Sequence, residues 1–166
     1  MTFPPIREEL RGIEPYGAPQ LDVPVQLNVN ENPYGPPESV MQAMTKAFKY
    51  ANRYGYPDGD ITGEIAKHHG VKTENILLGA GSGEILDVVG TAFLLGGKKV
   101  IGVDPSFSAV YEHATGIRAD AIKLPLLPDY RQDIPAIIRA TRANYRNVGF
   151  VYICNPNNPT GRIVTK

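Results

Sequence analysis

From Ile76 to Cys154 the chain alternates short apolar runs with stretches of helical period, and that alternation leaves few architectures open. Ile76-Leu77-Leu78, Val100-Ile101-Gly102-Val103, Ala121 to Leu126 and Val148 to Cys154 read as strands. Between them Ile85, Leu86, Val89, Phe93 and Leu94 mark one helix, and Ser106 to Thr115 a second. Asp133 caps a third over Pro135 to Tyr145, with Ile134, Ile137 and Ile138 facing inward. Near-continuous apolar runs suit strands that are covered on both faces. The expected fold is α/β: a mostly parallel sheet with helices on both faces, joined by right-handed crossovers. In such sheets ligands bind outside the carboxyl ends of the strands, so the loops that follow the strands are where chemistry is expected.

The lead into this region is different. Pro4, Pro5, Pro15, Pro19 and Pro24 interrupt any helical period, so residues up to about Pro24 read as an extended N-terminal arm. Such an arm wraps a neighbouring subunit or domain, or it is a frayed terminus. Val25 to Asn30 alternates apolar and polar residues as a short strand does, then meets the turn residues Asn32-Pro33-Tyr34-Gly35. A helix is expected from Pro37, with Val40, Met44, Ala47 and Phe48 on a buried face. Asp60 is placed to cap a second helix that stops at Gly70, although Gly63 inside it is unfavourable.

At 166 residues the chain has the length of about one domain. Seventeen basic and seventeen acidic residues leave no net field to attract nucleic acid or an anionic membrane. No run approaches the roughly 18 apolar residues of a membrane span. The first residues lack a basic-then-apolar secretory pattern, and the single cysteine, Cys154, rules out an internal disulfide. A cytoplasmic setting is expected. His68 and His69 diverge as helix neighbours, and no metal site is expected from them. His113 is expected to be solvated, Cys154 to pack instead of reacting, and Arg139, Arg142 and Arg146 to form a wet helix face.

Two strand-end loops carry the chemistry. Gly79 to Gly83 joins a strand to a helix, where free N–H groups and the positive end of the dipole suit a phosphate. Ser82 adds a hydroxyl. A tight turn that needs glycine for its own geometry is the alternative, and a dinucleotide fold is another. Asp104 ends the next strand about 25 residues after Gly79, near where an acidic group would grip a ribose. Against that reading the spacing is G-x-G-x-G, not G-x-G-x-x-G. The second loop, Asn155-Pro156-Asn157-Asn158-Pro159-Thr160-Gly161, is stiffened by two prolines and can hold an Asn amide against a flat ligand. A phosphate attached to an aromatic ring would use both loops.

In order along the chain, these motifs resemble the N-terminal part of the pyridoxal-phosphate-dependent aminotransferases of fold type I. Within that family the chain is most similar to the histidinol-phosphate aminotransferases. The resemblance rests on Leu27 to Pro33 with Tyr34-Gly35-Pro36, on Arg53 to Asp58, on Gly79 to Glu84, on Pro105-Ser106-Phe107 and on Asn157 to Gly161. It implies that backbone N–H groups of Ser82 and Gly83 hold the cofactor phosphate and that Phe107 stacks on the pyridine ring. It further implies that Asn158 bonds the ring hydroxyl oxygen and tunes the electron sink. Tyr16 and Asn32 would lie near substrate, and Tyr56 would reach the phosphate of a partner subunit's cofactor, which implies a homodimer. Tyr54 competes with Tyr56, because the turn carries two extra residues. Gly83 stands where relatives often carry Asp, though only its backbone donor is needed.

The implied division is an arm and small-domain segment over 1–36, then an incomplete pyridoxal-phosphate-binding large domain over 37–166. The implied substrates are an amino donor, L-histidinol phosphate or an aromatic or other amino acid, and a 2-oxo acid. In the family the Schiff-base lysine, an acidic partner of the pyridine nitrogen and a substrate-binding arginine all follow the Asn-Pro-Thr-Gly loop. No residue here matches them, and Lys166 is too early to be that lysine. The chain is therefore expected to be the first part of an enzyme and inactive alone; a non-catalytic binding module is the contrasting reading.

Overall fold

The computed structural model describes residues 5–11, 21–55 and 59–165. The chain falls into two compact units, one formed by Met1–Ile13 with Leu77–Lys166 and the other by Glu14–Ile76.

The larger unit is built on a three-stranded parallel sheet in the order β2-β1-β3. Its strands are β1 (Lys99–Asp104), β2 (Asp120–Pro125) and β3 (Val148–Val151). Strand β1 lies in the centre because it is apolar toward both sides. Val100 packs with Leu94, Val110, Tyr111 and Ala114 of helices α3 (Gly81–Leu94) and α4 (Ala109–Gly116). Ile101 and Val103 face the other way, onto Ile137 of α5 (Ile134–Ala143). The two-residue period of a strand thus puts helices on both faces, as expected from sequence. Lys99 pairs with Asp120 in register, and their side chains form a 2.6 Å ion pair.

Close backbone approaches account for two glycines. A Cβ on Gly102 would lie 2.3 Å from the Tyr111 hydroxyl and 2.9 Å from the Tyr152 carbonyl oxygen. A Cβ on Gly149 would lie 2.3 Å from the Phe93 carbonyl oxygen. The last turn of α3 therefore packs closely on the start of β3. Residues 5–11 of the expected arm form a 3-10 turn over Glu8–Leu10 against α4, with Arg7 donating to the Gly116 carbonyl.

Helix α5 begins as expected, Asp133 Oδ1 accepting from Ala136 N at 2.9 Å, but Ile138 is exposed. Ile76-Leu77-Leu78 is not a strand; no described strand pairs with it, and Leu77 and Leu78 are exposed. The run from Val148 forms a ladder only to Val151. His113 is not a solvated residue. Its Nδ1 lies 3.2 Å from Asp87 Oδ1 and its Nε2 3.0 Å from Thr91 Oγ1, in space left by the missing side chain of Gly90.

The smaller unit holds α1 (Glu38–Ala47) and α2 (Ile61–His69). Pro37 is the N-cap of α1, yet this helix buries none of its residues: Val40 and Met44 are exposed, as is Phe48 just past its end. Val25 to Asn30 forms no strand, and Val25 and Leu27 are exposed. Asp60 caps α2 through a 2.8 Å bond from Gly63 N, and Gly70 ends it with φ +65°. A side chain at position 63 would strike the capping carboxylate, which is why a glycine sits inside this helix.

Candidate functional site

Three segments of the larger unit carry site residues expected from sequence. The first is the start of α3. Gly81 takes φ +77°, its N–H bonded to the Gly79 carbonyl at 2.8 Å. Glu84 reaches back to accept from Ala80 N at 2.5 Å. The N-cap residue, Ala80, has no side chain that could accept from the first turn. The N–H groups of Ser82 and Gly83 belong to its first turn, where a helix offers no acceptor of its own. Both residues are exposed, and a Cβ on Gly83 would meet nothing within 4 Å.

The second segment, Pro105 to Ser108, links β1 to α4 and carries half-buried Phe107. The third follows β3. Asn155 works there as a surrogate strand partner, its Oδ1 accepting from Val164 N at 2.9 Å and its Nδ2 donating to Val164 O at 3.0 Å. Within the span so closed, Asn157 N donates to Arg162 O at 2.8 Å and Gly161 N to Asn157 O at 2.7 Å.

Asn157 joins the second and third segments. It is 1% exposed. Its Oδ1 accepts from Ser106 Oγ at 2.8 Å, and its Nδ2 donates to Pro105 O at 3.2 Å and Thr160 Oγ1 at 3.0 Å. The adjacent Asn158 is only half-buried and makes none of these bonds. Of two consecutive asparagines, one locks the loop and the other remains available.

Nearby, Tyr111 Oη donates to the Val103 carbonyl at 2.9 Å, and its ring meets Tyr152 edge to face at 5.8 Å. Burial, then the neighbouring Tyr152, Asp104 and Cys154, pushes the Tyr111 phenol well above its ordinary value. Burial, with Cys154 beside it, pushes Tyr152 up to about 12. On the other side the Arg131 backbone N–H, then its guanidinium, hold the Asp129 carboxyl below the usual range.

The class I and II aminotransferase family description matches residues 22–166. The chain belongs to that family.

As a class I and II aminotransferase chain it is 39% identical to the histidinol-phosphate aminotransferase of Paenarthrobacter aurescens, over 95% of this chain and 44% of that relative. It is 37% identical to that of Corynebacterium diphtheriae, over 97% of this chain and 46% of the relative. The chain thus spans less than half the length of these curated relatives. Among solved structures, histidinol-phosphate aminotransferase from Sinorhizobium meliloti in complex with pyridoxal-5'-phosphate superposes with a TM-score of 0.70. That match is 26% identical and covers 79% of this chain and 35% of that one.

The expected site residues fall unevenly on this aminotransferase fold. Phe107 and Asn158 lie in the two loops that Asn157 ties together, and Ser82 and Gly83 lie in the first turn of α3. Asn32 lies in the smaller unit, where its Oδ1 accepts from Tyr34 N at 3.0 Å and closes a local turn. Tyr16 and Tyr56 lie outside the described residues. A cavity of 340 Å³ in the smaller unit, lined by Met44, Phe48, Tyr50 and Arg53 among others, contains none of the expected residues. Sequence reasoning singled out neither Asn157 nor Gln132. Two adjacent asparagines give no local sign of which faces inward, and Gln132 is one polar residue in a polar loop.

Proposed function

We propose that this chain is the cofactor-holding N-terminal portion of a pyridoxal-5'-phosphate-dependent aminotransferase. The complete protein would move an amino group between L-histidinol phosphate and 2-oxoglutarate, and it would work as a homodimer. The observation that carries the reading is Asn157, which ties the Phe107 loop to the Asn158 loop at one rim of the sheet. Family membership and the histidinol-phosphate relatives supply the substrate class. The dinucleotide alternative has no such support.

The residues present fit the cofactor. The N-cap residue Ala80 offers the first turn of α3 no side-chain acceptor, Glu84 bonds only the Ala80 N–H, and the open space at Gly83 lets a phosphate approach the backbone. Ser82 and Gly83 would hold that phosphate by their N–H groups, with the helix dipole favouring its charge. Phe107 would lie against the ring face, and Asn158 would donate to the ring hydroxyl oxygen. Bound there, pyridoxal phosphate supplies the electron sink for chemistry at the amino-bearing carbon. The protein's share in this segment is orientation: the Asn157 bonds keep both loops rigid, so that contacts to the ring need no ordering on binding. Residues 37–166 read in this way are an incomplete large domain, and Asn32 with Tyr16 would serve the substrate side.

Equilibrium dialysis of the chain with pyridoxal 5'-phosphate tests the reading. Saturable binding is expected, weakened roughly threefold to tenfold in Asn158→Ala, the effect of one hydrogen bond. Binding that Asn158→Ala leaves unchanged would remove Asn158 from the site.

A further inference from the structure

Gln132 and Asn157 are the buried polar side chains among the described residues. Gln132 is 5% exposed, and its Nε2 donates to the Cys154 carbonyl at 2.8 Å. Cys154 is the last residue before the Asn155 to Gly161 loop. The other end of the same amide, Oε1, is buried and has no hydrogen-bond partner among the described residues. Buried polar groups are nearly always paired, and an unpaired acceptor destabilises the fold. Methionine has nearly the same length and would remove the unpaired Oε1, but it would also leave the Cys154 carbonyl without its donor. What glutamine adds over an apolar side chain of that length is the donor to the Cys154 carbonyl.

Its neighbours show what the position does. Asp129 O accepts from Arg162 Nε at 3.1 Å, and Tyr130 O accepts from Thr160 Oγ1 at 3.4 Å. The segment from Asp129 to Gln132 therefore grips the loop after β3 at three places, and Gln132 holds its base. The grip comes from the α5 side of the sheet, whereas Asn157 braces the loop from the β1 side.

We propose that Gln132 is a positioning residue for the loop that presents Asn158. By fixing the Cys154 carbonyl it sets the direction in which the chain leaves β3, and thereby where the Asn158 amide points. The role in binding rests on the reading of Asn158 as a ring contact; the role in holding the loop does not. Gln132 itself touches neither cofactor nor substrate.

The test uses the full chain, with pyridoxal 5'-phosphate and inorganic phosphate as separate probes. Gln132→Met exchanges an unpaired Oε1 for an unpaired Cys154 carbonyl, so its melting temperature is expected to change little, and it is expected to bind inorganic phosphate as wild type does. Its affinity for pyridoxal 5'-phosphate is expected to fall about threefold to tenfold. Hydrogen exchange should quicken at the N–H groups of Asn157 and Gly161, which close the loop, and not within β1. Gln132→Glu adds a readout that simple space-filling cannot give. Its carboxylate repels the Cys154 carbonyl, but protonated it regains a donor of the same reach. Its pyridoxal phosphate affinity relative to wild type should therefore recover as pH falls toward about 5. Unchanged exchange at Asn157 and Gly161 in Gln132→Met overturns the proposal, and so does faster exchange with no loss of pyridoxal phosphate affinity while Asn158→Ala is weakened. If Asn158→Ala binds like wild type, the ring-contact reading fails instead, and the exchange result alone decides whether Gln132 holds the loop.

Discussion

Ser106 Oγ donates a 2.8 Å hydrogen bond to Asn157 Oδ1, across 51 positions of sequence. That bond, with the one from Asn157 Nδ2 to Pro105 O, makes one rigid body of two strand-end loops. Asn157→Ala removes three side-chain hydrogen bonds at a site 1% exposed. The expected cost is about 2–4 kcal/mol, read as a lower urea midpoint. Ser106→Ala should cost about 1 kcal/mol, and the double mutant less than the sum, because the two share a bond.

Gly102→Ala should be among the most damaging single-methyl changes in the chain. The added carbon would fall 2.3 Å from the Tyr111 hydroxyl and 2.9 Å from a backbone oxygen of Tyr152. Overpacking of that kind costs about 3 kcal/mol. Combining it with Tyr111→Phe should recover part of the loss and no more, since the backbone contact persists. Full recovery in thermal melts would show that the contact with Tyr152 O is not limiting.

Alkaline pH should unfold the larger unit before its inner tyrosines ionise. Tyr152 is raised to about 12 and Tyr111 further, against about 10 for an unfolded tyrosine. Both therefore contribute stability that is fully present below about pH 10. As pH rises from there toward about 12 that contribution is lost, because the unfolded chain releases the protons first. Urea midpoints from pH 8 to 12, followed with tyrosinate absorbance, check this. Tyr152→Phe should flatten the slope.

Helix α2 offers a case in which helix propensity misleads. Replacing an interior glycine by alanine normally gains about 1 kcal/mol. In Gly63→Ala the new carbon meets the Asp60 carboxylate, at 2.2 Å from Oδ2. Losing the cap costs about 1 kcal/mol, so helicity by circular dichroism should barely change. In an Asp60→Ala background the same substitution should raise helicity.

Local rules were the legible ones. Asp60 before Ile61 and Asp133 before Ile134 announce two helix starts, because a cap bonds only a few residues ahead. Strand β1 was readable because Val100, Ile101 and Val103 are apolar on both faces. Val25 to Asn30 and Ile76 to Leu78 were misread for one shared reason: a strand needs a distant partner, and alternation does not say whether one exists. His113 was misread because its place depends on Gly90, 23 positions earlier, leaving room for a ring. In the site, the motif pointed to Asn158, but the residue that assembles the rim is Asn157. The difference lies in bonds to Pro105 and Ser106 that no local pattern reveals.

The proposed cofactor seat of Ser82, Gly83 and Asn158 is tested most directly by amide chemical-shift mapping of the 15N-labelled chain. Titration with pyridoxal 5'-phosphate should move the backbone signals of Ser82 and Gly83 together with the Asn158 side-chain amide. Inorganic phosphate should move the first two alone. If pyridoxal 5'-phosphate leaves all three in place, or shifts only residues of the smaller unit, the cofactor site assigned to these residues is wrong.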